Sequence, residues 1–134
     1  MALKDKIQDQ MVTDHETILE SEFDRVEKLF RLHEDGTINL EGQYRSLDTK
    51  SQMLIYFIGQ RFAYEGELAE EDTLTSSFFY DRIDKSDRTI RNYLQDLREE
   101  GYIKKEGQSE HCLIAENLPN ALDQIEESVG GGNA

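Results

Sequence analysis

Residues 83–103 read IDKSDRTIRNYLQDLREEGYI and carry the strongest structural signals of the chain. Within it, Ser86 is of a residue type that caps the start of a helix, and Gly101 is of the type that ends one. Three residues between them fall within about 60° of one another on a helical projection and form one apolar face: Ile90, Leu94 and Leu97. The stretch therefore predicts a tight turn over residues 84–86 and an amphipathic helix over residues 87–100.

The residues after this helix predict a two-stranded hairpin. Residues 102–105 and 111–115 have the composition of strands, and the polar loop between them, residues 106–110, contains glycine. A proline in a favoured first-turn position then begins a last helix, which we expect over residues 119–129. The glycine-rich residues 130–134 predict a flexible tail.

The residues before the 83–103 stretch predict two helices. Asp48 or Thr49 can begin a helix that is apolar nearly all round and ends near Gly66, a pattern typical of a helix at the centre of a small core. Thr73 or Thr75 can then cap a short helix. This short helix carries three bulky apolar residues: Phe78, Phe79 and Ile83.

The N-terminal third predicts one more amphipathic helix, over residues 16–33. Its apolar residues recur at spacings of 4, 3 and 4: Leu19, Phe23, Val26 and Phe30. Gly36 can end this helix, and the alternating residues 37–40 predict a short strand. Residues 1–15 are polar with scattered apolar positions, and we expect them to be flexible or to form a frayed helix.

The order helix, short helix, turn, helix and hairpin resembles the winged helix-turn-helix family of DNA-binding proteins. Residues 83–94 carry the resemblance to the turn and second helix, and residues 94–103 carry it where a helix ends in glycine and enters the wing. Asp84 departs from the pattern, because the turn usually carries glycine there; aspartate tolerates a left-handed backbone better than most residues. The resemblance implies a mainly α fold with a small β-hairpin wing (α+β), and these divisions: N-terminal helix and connector 16–46, winged helix-turn-helix 47–116, C-terminal helix 117–129.

The resemblance also implies DNA contacts. The helix over residues 87–100 would lie in the major groove, and the wing over residues 102–115 would lie on the backbone. Arginine, asparagine and glutamine can pair with the edges of guanine or adenine, and such residues lie on the face opposite the core or beside it: Arg88, Arg91, Asn92 and Gln95. Other side chains are suited to phosphates: Lys85, Ser86, Thr89, Lys104 and Lys105. We therefore expect a sequence-specific regulator of transcription that binds double-stranded DNA.

A second interpretation is a winged-helix adaptor that contacts another protein and not DNA. A helix face with arginine and amide residues is often simply solvated, and acidic residues on or near the same helix could pair with its arginines: Asp87, Asp96, Glu99 and Glu100. Neutralised arginines would favour the adaptor, and free ones would favour DNA binding.

The charge of the chain is unusual for a DNA-binding protein. The 29 acids outnumber the 15 bases and give a net charge of −14, whereas such proteins are normally basic. Acidic surfaces hold hydrated cations in a salt-saturated cytoplasm, and the few lysines favour the same explanation, so the composition points to a haloarchaeal host. Residues 45–105 carry ten bases and twelve acids, a net of −2, so the candidate DNA-binding segment is nearly neutral.

The sequence gives no argument for catalysis. It lacks a glycine-rich phosphate loop and a serine-centred nucleophile motif, and His15, His33, His111 and Cys112 lack the spacing of metal ligands. We expect no enzymatic activity, no metal and no cofactor, and no pattern identifies a small-molecule effector. No apolar run approaches the roughly 18 residues that span a bilayer, so we expect a soluble, cytoplasmic protein without a membrane partner.

Regulators of this type usually pair to read two half-sites, so we expect a homodimer. The helices over residues 16–33 and 119–129 each have an apolar stripe that needs a partner. They could pack on each other and complete the monomer, or build a two-fold interface, which we favour. The interface would then use these side chains: Leu19, Phe23, Val26, Phe30, Leu122 and Ile125.

Overall fold

The computed structural model describes residues 2–10 and 14–132. Two sequence predictions, the frayed N-terminus and the tail, fall partly on residues 1, 11–13, 133 and 134, which lie outside the described residues. The architecture is mixed α+β, as the sequence predicted. In chain order the elements are α1 Leu3–Gln10, α2 His15–Ser21, α3 Phe23–Val26, β1 Phe30–Leu32, β2 Ile38–Leu40, α4 Thr49–Glu65, β3 Thr73–Thr75, α5 Ser76–Tyr80, α6 Asp87–Glu99, β4 Ile103–Lys105, β5 Glu110–Leu113 and α7 Leu118–Gly132, with 3-10 turns at Gly42–Ser46 and Ala115–Asn117.

Helix α4 is the centre of the core, which confirms the prediction from its all-round apolar sequence. The Asp48 carboxylate caps its start by accepting from the Ser51 backbone N–H, and Gly66 ends it. Five of its large side chains are at most 1% exposed: Met53, Leu54, Ile55, Phe57 and Ile58. A Cβ on Gly59 would lie 2.8 Å from Ile38, so glycine at this position is what lets β2 pack closely on α4.

A three-stranded antiparallel sheet in the order β3-β5-β4 follows α4. The β4–β5 hairpin, predicted from the sequence, pairs Lys105 with His111, and Thr73 of β3 pairs with Cys112 on the other side of β5. Strand β3 was not predicted, because three residues have little pattern of their own and become a strand only through a partner 39 positions away in sequence. The predicted short helix is present as α5, with the Thr75 hydroxyl accepting from the Phe78 N–H.

The predicted helix over residues 16–33 is helical only in its first part and wrong in its last part. Helix α2 ends at Ser21, α3 covers one turn to Val26, and after a turn Phe30–Leu32 form β1, which pairs antiparallel with β2 in a register that places Phe30 opposite Leu40. The predicted strand over residues 37–40 needed a hydrogen-bonding partner, and the end of the supposed helix supplies it. Gly36 joins the two strands at φ +88°, and a Cβ there would lie 2.8 Å from the Leu68 carbonyl oxygen.

The predicted dimer interface is corrected by burial within the single chain. Five of its six side chains belong to the monomer core: Leu19, Val26, Phe30, Leu122 and Ile125. The reason is that α7 packs on α4 while α2 packs on the turn that precedes α7, so the two flanking segments complete the core of one molecule. Phe23 alone of the six is exposed, at 49%.

One further boundary concerns the C-terminal helix. The glycine-rich residues 130–132, predicted as the start of a flexible tail, continue α7 to Gly132. No helix among the described residues is both long and apolar enough to cross a membrane.

Candidate nucleic-acid interface

Helix α6 presents one face to the core and the other to solvent, as its sequence predicted. The Ser86 hydroxyl caps the helix by accepting from the Thr89 backbone N–H at 3.1 Å, and Gly101 ends it with φ +83°. The side chains of Ile90, Leu94 and Leu97 are buried. The opposite face therefore carries the four predicted base-contacting residues, all of them exposed: Arg88, Arg91, Asn92 and Gln95.

The side chains predicted to contact phosphates differ in exposure and in whether they already have a partner within the protein. Lys85 and Lys105 are exposed, but Lys104 forms an ion pair with Glu106 at 3.3 Å. Because side chains alternate along a strand, Lys104 and Lys105 face opposite sides of the sheet. The Ser86 hydroxyl donates to the Thr89 hydroxyl at 2.9 Å, so the Ser86 side chain is occupied at the helix start.

A groove of about 520 Å³ lies between α5, α6 and the β4–β5 hairpin; we call it the α6 groove. It brings together three bases and one histidine: Arg91, Arg98, Lys105 and His111. Neutral polar side chains complete most of the lining: Ser76, Ser77, Tyr80, Asn92, Gln95, Gln108 and Ser109. The Ser76 N–H donates to the Ser109 carbonyl at 3.1 Å, which ties the hairpin to the start of α5 at this groove.

The α6 groove is free of acidic side chains. Among the described residues, the twelve that line it include no aspartate or glutamate, although the chain contains 29 acids. Glu99 contacts one of them by accepting from Gln95 Nε2 at 3.1 Å. An acid-free, basic lining gives the groove a positive local charge in a protein whose net charge is strongly negative, and this favours anionic ligands.

Arg98 and His111 were not predicted, and they form a direct contact in this groove. Arg98 Nη1 lies 2.7 Å from His111 Nε2. Arginine has donors only, so Nε2 must be the acceptor and the ring proton must reside on Nδ1. This Nδ1 is buried without a hydrogen-bond partner among the described residues. His111 is 3% exposed, and burial, followed by the charges of Arg98 and Lys105, lowers its pKa to about 4.

Arg98 could have been found from the helical pattern, but His111 could not. Arg91 and Arg98 are seven positions apart, close to two turns, so both project from one flank of α6 toward the hairpin. The contact with His111 depends on the register of β4 and β5, which places His111 opposite Lys105. That register is a tertiary property which the local sequence pattern does not contain.

Most bases of α6 and its surroundings have no carboxylate partner. Within the described residues, the following carry no ion pair with a carboxylate: Lys85, Arg88, Arg91, Arg98 and Lys105. Arg91 instead donates to the Tyr80 hydroxyl at 3.4 Å. Elsewhere, Arg25 contacts three carboxylates and Arg61 contacts two. The bases expected to face DNA thus keep their charge.

Comparison with known proteins identifies no relative: no family model, no curated protein and no solved structure matches the chain. Residues 2–10 and 14–132 contain no group of three or more histidine, cysteine, aspartate or glutamate side chains arranged to hold a metal ion. Cys112 is buried, and burial, together with the neighbouring Glu106, raises the pKa of its thiol to about 12, so this thiol is not a reactive nucleophile. The side chains that line the α6 groove offer hydrogen bonds and positive charge.

Proposed function

We propose that residues 47–116 form a winged helix-turn-helix that binds double-stranded DNA and regulates transcription. The element order supports it: α4, the short α5 and the exposed α6 precede the β4–β5 hairpin, and β3 pairs with β5. In this proposal the outward face of α6 enters the major groove, where Arg88, Arg91 and Asn92 contact bases. The hairpin lies beside the DNA backbone.

The observation that carries the proposal is the free charge of the α6 face. Arg88 and Arg91 have several acidic neighbours in sequence, yet neither forms an ion pair among the described residues, and the adjoining α6 groove has no acidic lining. Paired arginines would have favoured the adaptor interpretation, because their charge would already be neutralised. Unpaired arginines beside amide side chains supply the donors that recognise base edges.

The proposal is tested by selecting binding sites from genomic DNA at molar KCl, because the composition favours a salt-rich host. We expect enrichment of a defined sequence motif. We also expect affinity to fall less with added salt than for basic regulators, because acidic groups near DNA recruit cations and reduce the net release of counterions. Recovery of no motif by a folded protein would overturn the proposal and favour the adaptor.

We also propose a homodimer. Its interface would be centred on Phe23, because the other residues of the predicted interface are buried in the core of the monomer. The exposed Phe23 borders a shallow apolar groove of about 260 Å³, which Phe30 and Phe62 also line. A second copy of the chain packing on this face would cover Phe23 and present two α6 helices to adjacent half-sites. Light scattering should give the dimer mass for the wild type and the monomer mass for Phe23→Asp. A palindromic motif in the selected DNA would support the two-fold arrangement, and an unaltered mass for Phe23→Asp would remove this surface.

A further inference from the structure

The α6 groove contains an arginine whose charge is held in place without being neutralised. Arg98 Nη1 donates to His111 Nε2 at 2.7 Å, which uses one of the five donors of the guanidinium group. The described residues place no carboxylate within ion-pair distance of Arg98. Arg98 therefore retains its full charge and most of its hydrogen-bonding capacity toward the groove.

His111 is suited to this holding role because it is neutral. A carboxylate in the same place would fix the guanidinium equally well, but it would cancel the charge that an anionic ligand requires. Burial keeps the imidazole uncharged over the physiological range, with a pKa of about 4. The buried Nδ1 of His111 has no hydrogen-bond partner among the described residues and therefore carries a desolvation cost. A carboxylate that accepted from this Nδ1 would remove the cost, but it would also bring negative charge close to Arg98.

The other side chains of the groove match an oxyanion. Lys105 and Arg91 add two positive charges to the lining that contains Arg98, and Gln108 and Ser109 of the hairpin loop add neutral donors. Guanidinium and phosphate form bidentate hydrogen bonds with strong geometric preference. The groove is open and lies beside the proposed base-contacting face of α6, where a nucleic-acid backbone would pass.

We propose that the α6 groove binds one backbone phosphate of DNA, with Arg98 as the charged ligand and His111 as the residue that positions it. This inference rests on the proposed DNA binding and adds a residue pair to it. The contact does not depend on base sequence, so it contributes equally to every DNA duplex. A free phosphorylated small molecule offers the same chemistry, and the experiment separates the two sources.

The experiment measures duplex affinity by fluorescence anisotropy over a series of KCl concentrations, using both the selected motif and an unrelated duplex. Arg98→Gln should weaken binding to both duplexes by about tenfold or more. It should also change the slope of log K against log salt by about one, the value expected for one lost phosphate contact. Arg31→Gln is the matched control, because Arg31 is an exposed arginine in β1 whose removal changes the net charge equally.

His111 variants test the positioning role. His111→Gln keeps a neutral acceptor for Arg98 and should bind within a few-fold of the wild type, whereas His111→Glu should lose as much affinity as Arg98→Gln although Arg98 is still present. A purely structural role would make both variants lose affinity in proportion to their stability, measured in parallel by thermal unfolding. If His111→Glu does not fold, Arg98→Gln decides the phosphate contact, because Arg98 is only half-buried and its replacement leaves the core intact. His111→Gln then decides the positioning role, since a loss of affinity as large as that of Arg98→Gln in a stable His111→Gln protein would contradict it.

The outcomes distinguish the proposals. Unchanged affinity and slope for Arg98→Gln, in a protein whose wild type binds DNA, would overturn the phosphate site and leave the DNA-binding function standing. Failure of the wild type to bind any duplex would overturn the DNA-binding function. In that case inorganic phosphate would be titrated against the protein: shifts of the groove resonances that disappear in Arg98→Gln would assign the site to a free phosphorylated ligand, which contradicts the DNA source.

Discussion

Arg25 and Arg98 show the two uses that this acidic chain makes of arginine. Arg25 of α3 contacts Glu22 at 3.1 Å and two carboxylates of α7, Asp123 at 2.7 Å and Glu126 at 2.9 Å. These hydrogen bonds raise the pKa of Arg25 above its usual range and fasten α7 to the N-terminal segment. Arg98 of α6 instead donates to the neutral His111, and no carboxylate among the described residues forms an ion pair with it.

The difference between Arg25 and Arg98 indicates how an acidic protein can retain a positively charged surface. The chain has 29 acids against 15 bases, and among the described residues three arginines form ion pairs with carboxylates: Arg25, Arg31 and Arg61. The α6 groove excludes carboxylates with serine, glutamine and asparagine at its border and a buried imidazole next to its central charge. We therefore expect the local absence of acids, and not the net charge of the chain, to decide whether this surface binds an anion.

The largest expected effect comes from removing both free arginines of the α6 face. Arg88→Ala combined with Arg91→Ala should lower affinity for the selected motif by about two to three orders of magnitude, because a well-placed base contact contributes roughly 1–3 kcal/mol. Fluorescence anisotropy measures the loss. The control pair Lys28→Ala and Arg31→Ala also removes two exposed charges, so equal losses in both variants would indicate general electrostatics and remove base contact from the interpretation.

The second-largest expected effect is a dependence of folding stability on pH, which arises from the buried His111. Its folded-state pKa of about 4 lies below the unfolded value of 6.5, so between these values the unfolded chain binds a proton that the folded chain does not. Folding stability should therefore fall as the pH is lowered from about 6.5 to about 4, by up to about 3 kcal/mol from this group. Arg98 and Lys105 face the ring and oppose its protonation.

Chemical denaturation of the wild type and of His111→Gln at pH 7 and pH 4.5 isolates the contribution of the imidazole from that of the many carboxylates. The wild type should lose more stability than the variant between these two pH values. Equal losses would mean that His111 is protonated in the folded protein or is not buried in solution.

Breaking the Arg25 cluster should have a smaller effect, on stability alone. Arg25→Gln removes the contacts to α7 and leaves three carboxylates near one another, which should cost about 1 kcal/mol because these pairs are partly exposed. Thermal unfolding should show a lower Tm, with DNA affinity unchanged. Arg98→Gln should show the reverse, with nearly unchanged Tm and weakened binding. A loss of binding in Arg25→Gln would break the proposed division between the two regions.

Much of the molecule could be predicted from its sequence because its main elements carry local signals. Helices α4 and α6 have capping residues and distinct apolar patterns, and the β4–β5 hairpin has a glycine-containing polar loop between two strand-forming segments. Strands β1 and β3 were missed because each has three residues, and the apolar spacing of the segment containing β1 also fits a helix. Only pairing with distant residues decides such segments.

The candidate site also contains some residues that local sequence predicts and others that only tertiary pairing reveals. Arg91, Asn92, Gln95 and Lys105 were predicted because they lie on an exposed helix face and an exposed strand, and the structure places all four in the α6 groove. The contact of Arg98 with His111 depends on strand register and burial. Lys104, predicted together with Lys105, lies on the opposite side of the sheet beside Glu106, a difference that the strand alternation could have indicated.

These two adjacent lysines offer the smallest expected effect and the finest test of the comparison. Lys105→Gln should weaken DNA binding by about two- to fivefold, because an exposed phosphate contact in high salt contributes little. Lys104→Gln should leave affinity nearly unchanged, because Lys104 faces away from the groove and is paired with Glu106, which holds the pKa of Lys104 above its usual value. The two variants have the same net charge and alter neighbouring positions of one strand. Equal effects of both would mean that overall charge governs binding; an effect confined to Lys105 would mean that the acid-free side of the sheet is the side that meets the DNA.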